Sequence, residues 1–141
     1  MNVSAYPSDT SVIVGTKFSI VLDITPKPGM HLYAPGADGY RVVSVNIEPQ
    51  SHVRIEPARY PASEVYHFVP LDERVPVFQR PFTMLIEVVQ EATREGRRAF
   101  ADRDELVIMG TLDCQACDDE LCYNPVSVPL SWNVMLAGRL D

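Results

Sequence analysis

Apolar residues recur at every second position in several short runs of this chain, and this pattern constrains the fold most. The clearest runs lie within residues 12–24, 43–47, 82–88, 106–112 and 126–132. Alternation with a period of two is typical of a β-strand with one face against a core. The runs are short, turn residues separate them, and the chain contains 12 prolines. The sequence therefore predicts an all-β fold in one domain, residues 1–141, with a two-sheet sandwich as its architecture.

Three segments fall outside the alternation. Residues 1–11 are interpreted as an entry arm, and residues 91–104 as a charged, solvated connection, because the latter lack an apolar stripe. Residues 60–81 combine aromatic side chains with several prolines, which disfavour a long central strand. They are predicted to form short edge strands around a loop whose aromatic rings either serve the function or fill the edge of the core. Gly15, inside the first alternating run, indicates a bend.

Charge and composition exclude some classes of function. The net charge is −7, whereas a nucleic-acid-binding protein needs a basic surface. No apolar run approaches the roughly 20 residues of a membrane span. The start of the chain, MNVSAYPSDTS, lacks the basic and apolar regions of a signal peptide, although a secreted domain whose signal has been removed would look the same.

All three cysteines, Cys114, Cys117 and Cys122, lie between the last two predicted strands. A cluster at such a turn is a disulfide staple, a metal site or a redox centre. A disulfide within the cluster would close a very short loop. Such a disulfide stabilises the folded state by roughly 2 kcal/mol, whereas one that closes a loop of 100 residues stabilises it by about 4.7 kcal/mol. A staple for a sandwich would be better placed across the two sheets. The short spacing favours a reversible bridge, and a local structural clip is the alternative.

A metal centre is less consistent with the residue pattern. Structural zinc takes four ligands, so the cysteines would need one of the distant histidines His31, His52 and His67. A blue-copper site on a sandwich would place a histidine soon after the cysteine, and none follows Cys122. The CQAC sequence is formally a thioredoxin-like CxxC, but no helix follows it to lower the thiol pKa. We therefore expect no metal and no cofactor.

Two longer strings resemble a known family. CQACDDELCYNPVSVPLSW is similar to the cysteine segment of the N-terminal domain of DsbD, the thiol:disulfide interchange protein, and TPKPGMHLYAPG is similar to that family's proline-glycine-aromatic segment. The resemblance covers roughly residues 12–134. It implies an immunoglobulin-like, two-sheet antiparallel sandwich in the periplasm, with a reversible disulfide between Cys117 and Cys122.

The resemblance also implies partners. Domains of this family accept electrons from a thioredoxin-like protein or domain, and they pass them to periplasmic thiol proteins such as a disulfide isomerase or a cytochrome c maturation protein. A membrane would be involved only through a fused transmembrane domain, which these 141 residues do not contain. We expect the chain to be either an excised domain or a stand-alone relative. The rival hypothesis from another class is a non-enzymatic, immunoglobulin-like binding module in which the bridge is only structural.

Further residues are expected to support the cysteines. The family shields its cysteine pair beneath a cap loop, and the segment from Tyr66 to Phe78 is the candidate here. Cys122 is expected to face the partner. Cys114 is expected to stay a free thiol, with pairing to Cys117 as the alternative. The acidic residues between Cys117 and Cys122 are expected either to raise the thiol pKa or only to keep the turn solvated. The candidate supporting and cap residues are His31, Tyr33, Tyr66, Phe68, Asp72, Glu73 and Tyr123.

Overall fold

A computed structural model describes residues 1–137 of the chain. Within them the chain is mostly strand, with one short α-helix and one 3-10 turn. In chain order the elements are β1 (Asn2–Pro7), β2 (Ser11–Ile13), β3 (Lys17–Thr25), β4 (His31–Tyr33), β5 (Ser44–Ile47), β6 (Val53–Ile55), β7 (Glu64–Phe68), the 3-10 turn (Val69–Leu71), β8 (Glu73–Phe78), β9 (Phe82–Gln90), α1 (Arg94–Phe100), β10 (Glu105–Cys114), β11 (Ala116–Cys117) and β12 (Val126–Ala137).

The strands form three four-stranded sheets rather than the predicted two. Their strand orders are β1-β3-β9-β6, β2-β12-β10-β5 and β11-β4-β8-β7. All neighbours within a sheet are antiparallel except β2 and β12, which are parallel. The predicted β character is confirmed, and the two-sheet description is too simple, because the short strands around the cysteines pair in a sheet of their own.

The first two sheets share the main core. Apolar side chains from both sheets, among them Ile20, Met84, Ile108 and Trp132, belong to one buried cluster. The Trp132 indole N–H, on the second sheet, donates to the Val21 carbonyl on the first at 2.9 Å. This bond satisfies the one polar atom of the largest buried side chain while the ring fills the core.

The third sheet carries a smaller core of its own. Tyr33, Ala37, Val75, Val77 and Cys117 form a separate buried cluster. The sheet joins the rest of the domain through Leu32 and Phe78, a register pair whose side chains belong to the main cluster. A short sheet with little core of its own opens more easily than the body of a domain.

Two segments that were predicted to be irregular are regular. Within the expected entry arm, Asn2–Pro7 is an edge strand that pairs with β3 along its whole length. Its inward residues are small and only partly buried, so its alternation is weak in the sequence. The expected solvated connection contains α1, where the Thr93 hydroxyl caps the Gly96 N–H at 3.1 Å and Phe100 is 1% exposed. One buried ring anchors this helix, so it lacks the apolar stripe that a sequence pattern reveals.

The bend predicted at Gly15 is confirmed. Gly15 has φ +86° and divides the first alternating run into β2 and β3, which belong to different sheets. The prediction of edge strands in residues 60–81 is wrong for β8, which lies between β4 and β7. Pro76 is tolerated in β8 because the register pairing with β4 ends at Tyr33–Val77. Beyond that pair only the carbonyl of Pro76 forms a hydrogen bond on this side, accepting from the Ala34 N–H at 3.0 Å, so the missing N–H of proline is not needed.

Candidate functional site

A tight turn carries the bridged cysteines. β11 ends at Cys117, the chain reverses over residues 118–121, and Cys122 returns opposite Cys117 and is joined to it by a disulfide. Backbone hydrogen bonds flank the pair on both sides, from Asp118 N to Leu121 O and from Tyr123 N to Ala116 O, each 2.9 Å. The predicted pairing of Cys117 with Cys122 is confirmed.

Asp118 holds the turn in place. Its carboxylate accepts from the backbone N–H groups of Glu120 and Leu121, both at 2.8 Å, and from the Tyr123 hydroxyl at 3.1 Å. Hydrogen bonds from these backbone amides, first that of Leu121 and then that of Glu120, lower the pKa of Asp118. This arrangement explains why an aspartate directly follows Cys117. Its carboxylate accepts the hydrogen bonds of turn amides that have no backbone carbonyl as a partner.

The two bridged residues differ sharply in exposure. Cys117 is 1% exposed and packs in the smaller core, whereas Cys122 is exposed on the outer limb of the turn. Both line a surface cavity of about 210 Å³. The remaining lining residues are His31, Tyr33, Tyr40, Tyr66, Phe68, Val75, Asp118, Asp119, Glu120 and Leu121. Cys122 is therefore the more accessible of the two bridged cysteines.

Aromatic rings form the wall of this cavity. His31 contacts two tyrosine rings, with centroids 4.2 Å away for Tyr66 and 5.3 Å away for Tyr33. Tyr40 stacks on the other face of the cluster, 4.3 Å from Tyr33. The Tyr33 hydroxyl lies 3.4 Å from His31 Nε2 and 4.0 Å from Cys122 Sγ, so the cluster reaches the disulfide through a polar group.

Burial and neighbouring carboxylates shift the pKa values of these groups. Burial lowers the pKa of His31, opposed by the Asp119 and Asp118 carboxylates, so the imidazole is neutral at neutral pH. Burial raises the pKa of Tyr33, and the Glu73 carboxylate raises it further. Tyr33 therefore remains a hydroxyl donor throughout the physiological range.

The β7–β8 hairpin carries the candidate cap residues. Tyr66 and Phe68 are half-buried and line the cavity, and the Tyr66 hydroxyl donates to Asp119 Oδ1 at 2.6 Å. This hydrogen bond ties the hairpin to the cysteine turn and, with burial, raises the pKa of Tyr66 to about 12. The structure thus brings both rings to the disulfide.

The two acidic cap candidates lie further from the sulfurs. Asp72 closes the hairpin tip with φ +46°, and its carboxylate contacts His67 at 2.7 Å and Arg74 at 3.5 Å. Glu73 acts on the aromatic wall instead: hydrogen bonding to its carboxylate raises the pKa of Tyr40 to about 12. Neither carboxylate lines the cavity. Tyr123 lies on the outer side of the turn, bonded to Asp118.

Cys114 is a free thiol, as predicted. It is 1% exposed, belongs to the main core and lies 3.9 Å from the Met1 thioether. Burial, followed by the nearby Asp113 carboxylate, raises the pKa of Cys114. Cys114 and Cys117 thus face different cores.

No group of three or more metal-ligating histidine, cysteine, aspartate or glutamate side chains occurs among residues 1–137. In the same part of the chain, no helix has the length and apolar character needed to cross a membrane. The sequence-based prediction missed Tyr40 and Leu121, which also line the cavity. Tyr40 follows a glycine-rich turn with no alternating pattern around it, so only the stacking on Tyr33 identifies it.

Comparisons with known proteins give a family for the sequence and a relative for the fold. Residues 4–128 match the family model described as the N-terminal domain of the thiol:disulfide interchange protein DsbD. No curated protein sequence matches the chain significantly. Among solved structures, the fold is similar to the N-terminal periplasmic domain of ScsB from Proteus mirabilis, with 16% identity and a TM-score of 0.55. That match covers 91% of this chain and 44% of the ScsB chain.

Proposed function

Because this chain belongs to the family of the N-terminal domain of the thiol:disulfide interchange protein DsbD, we propose that it relays electrons through a reversible Cys117–Cys122 disulfide. In this proposal it is a thiol–disulfide oxidoreductase, and residues 1–141 act as one domain. The observation that carries the proposal is the asymmetric bridge, in which a buried cysteine is joined to an exposed one at the edge of a cavity.

The asymmetry supports one order of the exchange, with attack at the exposed cysteine. A partner thiolate attacks Cys122 Sγ, the bond between the two cysteines breaks, and its electron pair goes to Cys117 Sγ. The partner's second thiolate then attacks the partner's own sulfur in the mixed disulfide and releases Cys122. The partner is oxidised to a disulfide, and two electrons and two protons reduce the pair. The reverse sequence reduces the next protein.

The donor in this proposal is a thioredoxin-like protein or domain. The acceptors are periplasmic thiol proteins, either a disulfide isomerase or a cytochrome c maturation protein, and the domain works in the periplasm. Family membership and the likeness to a periplasmic domain support these assignments. The shared core of the first two sheets supports an immunoglobulin-like sandwich to which the third sheet adds the site.

We further propose that the β7–β8 hairpin is a cap. Tyr66 and Phe68 line the cavity, and a single side-chain hydrogen bond, from Tyr66 to Asp119, links the hairpin to the turn. Its tip residues Val69 and Leu71 are 72% and 68% exposed, so little apolar contact holds the tip down. A docking partner can therefore displace the exposed end of the hairpin at a cost of a few kcal/mol, while the buried part of β8 stays paired with β4. Asp72 shapes the tip, while Glu73, His31 and Tyr33 support the cavity wall.

Trapping of a mixed disulfide tests the relay. In Cys117→Ser, Cys122 remains as a free thiol. It should attack a thioredoxin-fold protein that lacks its resolving cysteine and whose remaining cysteine is activated as a mixed disulfide with thionitrobenzoate, so that thionitrobenzoate leaves and a stable protein–protein mixed disulfide forms. In Cys122→Ser, the remaining Cys117 is buried and should trap far less. Cys114→Ala is the matched control and should behave like the unmodified chain, because Cys114 is buried away from the cavity.

Mass spectrometry of the trapped species identifies the sulfur. A mixed disulfide at Cys122 supports the relay and the assignment of the exposed cysteine. Failure of the unmodified chain to exchange with any thioredoxin-fold protein, with the bridge resistant to mild dithiothreitol, would instead support a binding module with a structural clip.

A further inference from the structure

One histidine and one tyrosine of the cavity wall are placed against different sulfurs. His31 is the register partner of Cys117 on the adjacent strand. Side chains directly opposite one another in an antiparallel pair have Cβ atoms about 4.5–5.5 Å apart. The Tyr33 hydroxyl lies 4.0 Å from Cys122 Sγ and 3.4 Å from His31 Nε2. His31 therefore lies beside Cys117, the Tyr33 hydroxyl lies beside Cys122, and the His31 ring and the Tyr33 hydroxyl are within hydrogen-bonding distance of each other.

We propose that in the exchange reaction His31 is the proton carrier for Cys117 and Tyr33 is the hydrogen-bond donor that stabilises the Cys122 thiolate. The inference rests on the proposed relay and adds the groups that manage its protons. Neither role follows from the disulfide alone, because a structural clip would need no proton carrier beside it.

The buried position of Cys117 makes such a carrier necessary. When Cys122 is attacked, Cys117 leaves as a thiolate, and it does so at 1% exposure, where water cannot solvate the charge. His31 is itself 2% exposed and is the ring that faces Cys117 across the two strands. A proton from the imidazole converts the thiolate to a thiol as the sulfur–sulfur bond breaks.

The proton balance is complete in both directions. During reduction, protonated His31 gives its proton to Cys117 Sγ and regains one from solvent, while Tyr33 donates a hydrogen bond to the Cys122 thiolate until solvent protonates it. The partner loses two thiol protons and two electrons and becomes a disulfide. When the domain reduces the next protein, neutral His31 removes the Cys117 proton so that this thiolate can attack the mixed disulfide at Cys122.

Several titratable groups face this pair from the elements packed around it. Those around His31 are Tyr33 on β4, Tyr66 on β7, Cys117 on β11, and Asp118 and Asp119 on the turn, and Glu73 on β8 acts on Tyr33. Burial keeps the imidazole neutral at neutral pH, and the two aspartates oppose that effect. The ring therefore accepts a proton at neutral pH, and it gains one as the pH falls through its lowered pKa.

The pH profile of reduction tests His31. The rate constant for reduction by dithiothreitol is measured from about pH 4 to pH 8 and divided by the thiolate fraction of the reagent. We expect the normalised constant to rise with falling pH in the unmodified chain and to stay flat in His31→Phe. At the acidic end the variant is expected to be about 10²-fold slower. His52→Asn removes a histidine far from the cavity and should keep the original profile.

Tyr33→Phe removes only the hydroxyl group and tests the role of Tyr33 at Cys122. In the reduced protein, loss of the hydroxyl removes a donor to the Cys122 thiolate, so alkylation of Cys122 by iodoacetamide at neutral pH should slow about tenfold. Tyr60→Phe is the matched control, because its half-buried hydroxyl donates to the Val43 carbonyl at 2.6 Å, away from the cysteines. It should leave the alkylation rate unchanged.

The outcomes separate this inference from the relay itself. A sloping profile in His31→Phe, with exchange intact, overturns the proton-transfer role and leaves the relay standing. If His31→Phe does not fold, Tyr33→Phe decides, and unchanged alkylation overturns the proposal. A failure of the unmodified chain to exchange at any pH refutes the proposed function instead.

Discussion

Reduction of the Cys117–Cys122 bridge is expected to cost the folded domain little, and the amount follows from the loop that the bridge closes. The two cysteines are 5 residues apart. For so short a loop the chain-entropy relation gives about 2 kcal/mol of stabilisation. For a domain of this size, that free energy corresponds to a fall in the melting temperature of roughly 4 to 8 °C.

Urea unfolding of the oxidised and reduced forms measures this difference directly. The two forms should show the same m-value, because the bridge lies in a local turn and its removal exposes little extra surface on unfolding. The β-sheet circular dichroism should persist after reduction. Cys114→Ala, measured in both states, is the control, because it removes the only thiol outside the bridge.

A thermodynamic cycle gives an independent check of the same number. If the bridge stabilises the folded state by about 2 kcal/mol, its reduction potential must be about 40 mV more negative in the folded chain than in urea. Unfolding upon reduction, or a loss of much more than 5 kcal/mol, would refute the reasoning. The third sheet would then depend on the bridge for its existence, as a structural clip requires.

Four further predictions concern the cap, the turn and the free thiol. Phe68→Ala should speed the reaction of the reduced pair with a small alkylating reagent with little loss of stability, since Phe68 is only half-buried; unchanged reactivity with a large loss of stability would make it a core residue. Tyr66→Phe should have the same kinetic effect by removing the bond to Asp119, at a cost of about 1 kcal/mol in urea unfolding. The stability difference between the unmodified chain and Asp118→Asn should be present above the ordinary carboxyl pKa of 3.8 and should disappear as the pH falls through the lowered pKa of Asp118; a difference that persists in acid would contradict this. Cys114 should resist iodoacetamide until urea unfolds the chain, because burial raises its pKa; labelling of the folded protein would show that its core opens locally.

Most of the strands, and the segment that carries the disulfide, could be predicted from the amino-acid sequence alone. Long alternating runs such as β9 and β12 are predictable because a period of two is a local property of the chain. The edge strand β1 and the helix α1 were missed for the opposite reason: small inward residues in one, and a single buried ring in the other, give a weak local signal.

The number of sheets and the residues that surround the cysteines could be learned only from the tertiary structure. β4, β7, β8 and β11 have between two and six residues each, too few for a sequence pattern to specify their partners. Their pairing builds the third sheet and brings His31 opposite Cys117. The stacking of Tyr40 on Tyr33 depends on this sheet, so the sequence could not predict it.

The pairing of the cysteines depends partly on their spacing in the sequence and partly on the tertiary structure. The spacing of the three cysteines allows more than one pair. Cys114 and Cys117 are separated by an odd number of positions along a nearly extended chain, so their side chains leave opposite faces and enter different cores. Cys122 meets Cys117 only because Asp118 holds the turn that reverses the chain, and the chain must fold around that turn before the two sulfurs can meet.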